Sequence, residues 1–247
     1  SAEECVAATH LVFPYRGVYI RHVGNDQAVA DANHVLFFNA EEGYRVSHPV
    51  EGGDASMSLT LSESLLHELA PAPLLNKSGR LGFRRQHLRI DPRAQALVAL
   101  LRHGLENDAI EPLEAEALLL TLVCRSLGPH SSHEPGSTHA RRRLADRVKV
   151  LLTSDVARRW TLADIASEIG GSAVYLTQVF QQVEGMPLYR YHLQLRLARA
   201  LDVIEDYDDL SALATDLGFS SHSHFAAAFR RAYGRSPTAF KQSARRL

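Results

Sequence analysis

The stretch Leu162-Ala-Asp-Ile-Ala-Ser-Glu-Ile-Gly-Gly-Ser172 returns 48 residues later as Leu210-Ser-Ala-Leu-Ala-Thr-Asp-Leu-Gly-Phe-Ser-Ser221. Each copy continues with two apolar anchors, a glycine and a proline: Leu176, Phe180, Gly185 and Pro187 in the first copy, and Phe225, Phe229, Gly234 and Pro237 in the second. From the phenylalanines onward the spacing is 49 residues, so the second copy has one extra residue in its turn. The pattern predicts two helix-turn-helix units, over about 162–183 and 210–231.

Each unit has the same predicted construction. Apolar residues at spacings of three and four form the inner face of a first helix: Leu162, Ile165, Ala166 and Ile169, then Leu210, Leu213, Ala214 and Leu217. Glycines at positions 170, 171 and 218 permit the positive φ of the turn. Ser172 and Ser221 are placed to cap the helix that follows.

The second helix of such a unit is expected to lie in the major groove of duplex DNA. We expect DNA contacts from Ser172, Val174, Tyr175, Thr177, Gln178 and Gln181 in the first unit, and from Ser221, His222, Ser223, His224, Ala227, Arg230 and Arg231 in the second. Gln178 can pair with adenine and Thr177 can touch a thymine methyl, while Tyr175 can reach a phosphate. The second reading face has few long polar side chains, so we expect it to depend more on phosphate contacts.

A helix over residues 188–204 is predicted to join the two units. Its apolar stripe comprises Leu193, Leu197, Ala200, Leu201 and Ile204. At about 1.5 Å per residue it is roughly 25 Å long. A rigid helix of this length can hold two reading helices about one DNA turn apart, roughly 34 Å.

Charge is distributed unevenly along the 247 residues, although the net charge is only −1. Residues 141–247 contain 16 lysines and arginines against 11 aspartates and glutamates, whereas residues 1–140 contain 11 against 17. The basic part is the one with the repeat, as phosphate binding requires.

The location expected from composition is the cytoplasm. No apolar run approaches the roughly 18 residues that span a bilayer, and no signal peptide is visible. Two cysteines, Cys5 and Cys124, cannot form a disulfide framework, which fits a reducing compartment. The chain begins with Ser1 rather than methionine, so its natural start is not identified.

The C-terminal 100 residues resemble the AraC/XylS family of bacterial transcription regulators. The resemblance is carried by Leu217-Gly-Phe-Ser-Ser-His-Ser-His-Phe225, followed by Phe229-Arg-Arg231 and Gly234-Arg-Ser-Pro237. It implies binding to promoter DNA through both units and activation, or sometimes repression, by contact with RNA polymerase. Gln178 stands where the family usually has an arginine, and Ala227 replaces a long polar residue, which leaves the operator sequence open.

The N-terminal part has the pattern of a small barrel or sandwich. Short β-rich runs at 17–22, 27–30, 34–38 and 56–62 are separated by turn signals, and 81–90 is a candidate last strand. This part resembles the cupin-like barrel that many such regulators use to sense a small molecule. The predicted class is α+β, with domains at 1–90 (sensor barrel), 91–128 (helical dimerisation element), 129–140 (linker) and 141–247 (DNA-binding domain).

Two helices are predicted over 91–128, where Asp91 caps a helix with Pro92 at its first position. Leu97, Leu100, Leu101 and Leu105 form the stripe of the first helix. The second is apolar on more than one face, which suggests a homodimer, with burial inside its own domain as the alternative. The candidate dimer contacts are Leu118, Leu119, Leu122 and Cys124, and Cys124 is also expected to be buried. The linker histidines His130, His133 and His139 are interpreted as solvated.

A barrel mouth is a natural site for an effector. The candidate lining residues are Arg16, Tyr19, His22, His34, Phe38, Tyr44, Arg45 and His48. Cys5, His10 and His48 are weak candidates for a metal or redox sensor, but the histidines lack the tight clustering of a metal-dependent cupin enzyme.

Three functions therefore remain open. The favoured one is a non-catalytic regulator without a cofactor, gated by a small-molecule effector. The alternatives are a metal-dependent cupin-like enzyme or metal sensor fused to a DNA reader, and a regulator whose barrel serves only as a dimer scaffold.

Overall fold

A computed structural model describes residues 3–76, 81–128 and 138–244. The strands are β1 (His10–Arg16), β2 (Tyr19–Val23), β3 (Asp26–Ala30), β4 (His34–Phe38), β5 (Arg45–Ser47), β6 (Ala55–Thr60) and β7 (His87–Arg89). The α-helices are α1 (Glu63–Leu69), α2 (Pro92–Glu106), α3 (Pro112–Leu127), α4 (His139–Ser154), α5 (Leu162–Ile169), α6 (Ala173–Glu184), α7 (Leu188–Val203), α8 (Leu210–Asp216), α9 (His222–Tyr233) and α10 (Pro237–Ala244). Short 3-10 helices lie at Ala72–Leu74 and Ile204–Asp206.

Two antiparallel sheets form the N-terminal half. One has the order β6-β1-β4-β7 and the other the order β3-β2-β5. The pairing of Leu11 with both Phe37 and Leu59 fixes the register at the centre of the first sheet. The predicted α+β class, with a cupin-like β domain followed by helices, is confirmed. β1 and β5 were not among the strands singled out from the sequence, and the run 81–90 contains only three residues of strand.

Strand β4 is buried on both faces. Val35 and Phe37 pack into the core formed with α1, α2 and α3. Leu36 and Phe38 face the second sheet and pack with Tyr19. The four-stranded sheet is therefore the middle layer, covered by helices on one side and by the smaller sheet on the other.

The α2–α3 hairpin covers the outer face of that sheet. The Asp91 side chain accepts from Ala94 N at the start of α2, as predicted. The predicted positions of three hairpin residues are wrong. Leu105 is exposed, because α2 directs Ala94 and Val98 to the sheet and Ala99 to the C-terminal domain. Leu122 is fully buried in the sensor core rather than at a surface, whereas Cys124, expected to be buried, is exposed.

Helices α4–α10 form the C-terminal half, in which α7 is central. Its buried residues include Leu197, Ala200 and Leu201 of the predicted stripe, and also Tyr191 and Ala198. The additional burial arises because α7 packs against β1 and α2 of the N-terminal half as well as against its own domain. In the described ranges, no helix combines the length and apolar character that crossing a membrane requires.

The start of α4 lies inside the segment 129–140 that the sequence assigned to a linker. Thr138 accepts from Arg141 N as the cap, and His139 is the first helical residue. The rest of that segment, with His130 and His133, lies outside the described residues.

Candidate nucleic-acid interface and sensor site

The first helix-turn-helix unit consists of α5 and α6. Thr161 and Asp164 form a capping box at the start of α5, and the turn after it passes through Gly170 and Gly171 with φ of 84° and 103°. The Ser172 hydroxyl then accepts from Tyr175 N and starts α6. Ile165 is buried, but Leu162 is exposed because it occupies the first turn of a short helix. The predicted inner position of Leu162 is therefore wrong.

Most of the residues predicted to contact DNA lie on the exposed face of α6. Leu176, Val179 and Phe180 are buried, which leaves Val174, Tyr175, Gln178 and Gln181 exposed. The Thr177 hydroxyl donates to the carbonyls of Ala173 and Val174. The Thr177 hydroxyl is therefore engaged within the helix. Its methyl group remains available for an apolar contact.

The second unit, α8 and α9, repeats this arrangement. Gly218 has a φ of 76°, and Ser221 accepts from His224 N at the start of α9. Phe225 and Phe229 are fully buried anchors. The exposed face of α9 carries His222, Ser223, His224, Ala227, Arg230 and Arg231. The His224 ring packs edge-on against Phe219, at 5.6 Å between centroids, so its position is fixed locally.

A clamp on α7 fixes the two units relative to each other. The Arg196 guanidinium donates to the carbonyls of Val156 and Ala157, which precede the first unit, and of Gly218 in the second. Arg159 also donates to the carbonyls of Gly218 and Phe219. Sequence reasoning treated α7 only as a rigid spacer. The structure shows that hydrogen bonds from Arg159 and Arg196 also connect the segment before the first unit with the second unit.

His192, also on α7, supports the same segment. Its Nε2 lies 2.9 Å from the carbonyl oxygen of Val156. Burial, together with the positive charge of Arg196, lowers the pKa of His192 to about 4. The ring is therefore neutral at pH 7, and its N–H is donated to Val156.

The proposed effector residues do not form one site. Tyr19, Phe38 and Tyr44 pack together between the sheets, around the fully buried Arg21. The Arg21 guanidinium lies 4.3 Å from the Phe38 ring centroid and donates to Glu42 and to the Phe37 carbonyl. The space expected for a ligand is thus occupied by the protein's own arginine.

Most of the other candidates lie away from that cluster, although the His48 and Tyr19 ring centroids are 6.5 Å apart. His22 contacts the Ser47 hydroxyl, Arg45 pairs with His22 in the backbone register, and exposed His48 lies 3.0 Å from Asp54. Arg16 forms an ion pair with Asp202 of α7, at 2.9 Å. His34 also lies at the boundary with the C-terminal half. The alternation of side chains along the strands predicts which residues point inward. It does not predict whether they face the other sheet, the helices or the C-terminal half.

The weak metal candidates are also separate. Cys5 is exposed, His10 Nδ1 lies 2.7 Å from Thr60 Oγ1, and His48 is paired with Asp54. Within the described ranges, no three His, Cys, Asp or Glu side chains come together as a metal site.

Sequence reasoning missed a buried charge network between the two halves. We define the interdomain network as Asp31, His34, Asp146, Lys149, Glu184 and Tyr191. Lys149 Nζ lies 2.8 Å from Asp146 and 3.1 Å from Glu184. His34 Nδ1 lies 2.9 Å from Asp31, and its Nε2 lies 3.8 Å from Glu184. The Tyr191 hydroxyl donates to Asp31.

Three groups of the network have pKa values that are shifted toward their charged forms. Burial alone would lower the pKa of Lys149, but Asp146 and Glu184 raise it above its usual value. Burial alone would raise the pKa of Glu184, but Lys149 and His34 hold it well below its usual range. Burial likewise opposes protonation of His34, and Asp31 more than offsets this, so its pKa is raised. Lys149 falls on the apolar stripe of α4 with Ala145 and Leu152, a sequence signal that could have identified it.

Comparison with known proteins agrees with this architecture. A family model described as a helix-turn-helix domain matches residues 165–243. The probable transcriptional regulator LumQ of Photobacterium leiognathi is 28% identical over 208 residues, covering 81% of this chain and 78% of LumQ. The transcriptional activator RhaR of Klebsiella pneumoniae is 26% identical over 155 residues, covering 62% of this chain and 55% of RhaR.

A solved structure also aligns with part of the chain. It is a transcriptional regulator with an AraC-type DNA-binding domain from Chromobacterium violaceum, 23% identical, with a TM-score of 0.40, covering 43% of this chain and 96% of that one. The chain spans about half the length of RhaR. The paired helix-turn-helix units, the family model and the related regulators lead to one assignment. Through residues 165–243, which match the helix-turn-helix domain, the chain is similar to DNA-binding transcription regulators.

Proposed function

We propose that this regulator binds promoter DNA by placing α6 and α9 in two successive segments of the major groove. The observation that carries the proposal is the pair of matched units, each with a capped reading helix whose outer face is exposed. The clamp of Arg196 holds the units at a fixed separation. Gln178 and Thr177 supply base contacts in the first unit, while Arg230 and Arg231 supply phosphate contacts in the second.

The base contact of Gln178 is tested by Gln178→Ala. We expect the preference at one base pair to relax, with a loss of roughly 1–3 kcal/mol on the preferred sequence. Genome-wide footprinting supplies the bound fragments, and gel shifts with every base at each position measure the change. Gln182→Ala, on the same helix, is the matched control and should keep the preference. Equal weakening on all fragments would show that Gln178 touches only phosphate.

We propose further that the N-terminal domain senses a small molecule and passes the signal to the first unit. The network joins β4 directly to α4, α6 and α7, so a change in the sensor reaches a reading helix without a flexible intermediary. In this proposal the regulator acts on RNA polymerase in the cytoplasm as an activator, and its similarity to the transcriptional activator RhaR supports that direction of regulation. The related regulators support a function without catalysis.

The outer face of α3 supports a homodimer. Leu113 is 78% exposed and Leu120 is 39% exposed, and Cys124 lies on the same side of the helix. Of the predicted contacts, Leu118 and Leu119 are half-buried, and Leu122 belongs to the core. We propose that a second copy covers the face formed by Leu113, Leu120 and Cys124.

Sedimentation velocity tests this dimer. We expect the parent chain to sediment as a dimer and Leu113→Glu/Leu120→Glu as a monomer, because two charges cannot be buried in an apolar contact. Leu162→Glu introduces the same charge at an exposed leucine on α5, and it should remain dimeric. A monomeric parent chain, or a double variant that still dimerises, would refute the proposed interface.

A further inference from the structure

A cavity of about 570 Å³ lies between the two halves of the molecule. One wall is β7 with the residues that precede it, and the opposite wall is the first part of α4. His34, Lys149 and Glu184 of the interdomain network line its inner end. Its volume is in the range of small-molecule sites. The space between the sheets, by contrast, is filled by Arg21, so this cavity is the better candidate for a ligand.

The lining is strongly cationic. Among the residues that the structure describes, it contains five arginines and one lysine (Arg84, Arg85, Arg89, Arg142, Arg143 and Lys149) against three carboxylates. Two of those carboxylates, Asp146 and Glu184, are already paired with Lys149. A cleft with one sign of charge concentrates ligands of the opposite sign.

Three of the arginines have no partner among the described residues. In the part of the chain that the structure describes, no ion pair or side-chain hydrogen bond engages the guanidinium groups of Arg84, Arg142 or Arg143. They approach the cavity from both halves, Arg84 from the sensor side and the other two from α4. Guanidinium groups bind carboxylate, sulfonate and phosphate oxygens through paired N–H donors.

The remaining lining adds apolar contact. Val183 of α6 lines the same space, together with the His87 ring. Burial, with His34 and Lys149 nearby, lowers the pKa of His87, so its ring is neutral at pH 7 and adds no charge. An occupant can therefore combine an anionic group with a compact apolar body.

We propose that this cleft binds a small organic anion whose oxyanion group is held by Arg84, Arg142 and Arg143. The proposal rests on effector gating as described above, and it adds the chemical class of the effector. An anion held by both walls changes how β7 and α4 are joined. Because Glu184 ends the reading helix α6 and also lines the cleft, occupancy acts directly on the first DNA-reading unit.

The test is a fluorescence titration of the full chain with 8-anilinonaphthalene-1-sulfonate, an aromatic anion. We expect saturation at one equivalent in the cleft. Arg84→Gln/Arg142→Gln should raise the Kd about tenfold, because two charged donors are lost. Arg93→Gln/Arg141→Gln loses the same charge at exposed arginines outside the lining, and its Kd should stay within about twofold.

The same ring system without the sulfonate, N-phenyl-1-naphthylamine, is the neutral probe. Equal Kd values in the two double variants, or a neutral probe that binds as tightly as the anion, would overturn the proposed site. The titration contains no DNA, so those results concern the anion site alone. The proposed DNA-binding function is tested separately by gel shifts, and it would fail if the chain showed no preference for any promoter fragment.

Discussion

Lys149→Met should lower the free energy of unfolding by about 3–5 kcal/mol, because it leaves buried carboxylates without their cation. Lys149 is 1% exposed and is the shared partner of Asp146 and Glu184. Methionine fills a similar volume, so loss of charge rather than a cavity accounts for the effect. Urea denaturation followed by circular dichroism measures it. Arg141→Met, on the exposed side of α4, should change the value by less than about 0.5 kcal/mol.

The loss of stability caused by Lys149→Met should depend on pH. In the parent chain the pKa of Glu184 is depressed, so its stabilising contribution is present above the unfolded pKa and is lost as the pH falls through the folded value. In the variant the buried carboxylates no longer have the Lys149 ammonium as a partner. As the pH falls, protonation removes their unpaired negative charge. The difference in the free energy of unfolding between the parent chain and Lys149→Met should therefore be smaller at pH 4.5 than at pH 8.

A double variant separates the charge from the packing. Lys149→Met/Glu184→Gln removes both partners, and it should recover part of the lost stability relative to Lys149→Met. Two results would mean that Lys149 contributes mainly through its aliphatic chain. One is that the stability changes of the two substitutions simply add in the double variant, and the other is that the stability loss of Lys149→Met does not depend on pH.

The local features of the C-terminal half could be derived from sequence. Ser172, Ser221 and Gly218 act on residues within a few positions of themselves, and their chemistry restricts the backbone there. The anchors Phe180 and Phe229 recur at matching positions and are fully buried. Such signals need no knowledge of the rest of the fold, which explains why the expected ranges 162–183 and 210–231 lie close to α5–α6 and α8–α9.

The boundary between the halves could not be derived in this way. His34 meets Glu184 across 150 positions of sequence, and a lysine or a glutamate on a helix ordinarily indicates a solvated face. The effector candidates failed for a related reason. Alternation shows that His34 and Phe38 share one face of β4, but only the packing shows that one end meets α6 and the other meets Arg21.

Gly218→Ala tests whether the fixed separation of the two DNA-reading units matters. At a φ of 76°, alanine costs about 1–2 kcal/mol. Its Cβ would also lie 1.9 Å from the carbonyl oxygen of Ala157, so the backbone that joins the units must move. Overlap of this kind adds about 1–3 kcal/mol, so we expect a total loss of roughly 2–5 kcal/mol in urea denaturation.

Gly234→Ala is the matched control, because Gly234 has a φ of 75° and open space around its added Cβ. The two variants share the backbone penalty, and the difference between them measures the contact with Ala157. We also expect Gly218→Ala to weaken binding to a fragment with two half-sites more than Gly234→Ala does, since the displaced carbonyl belongs to the clamp of Arg196. Equal affinities of the two folded variants for that fragment would show that DNA itself sets the separation of α6 and α9, and that the clamp serves stability alone.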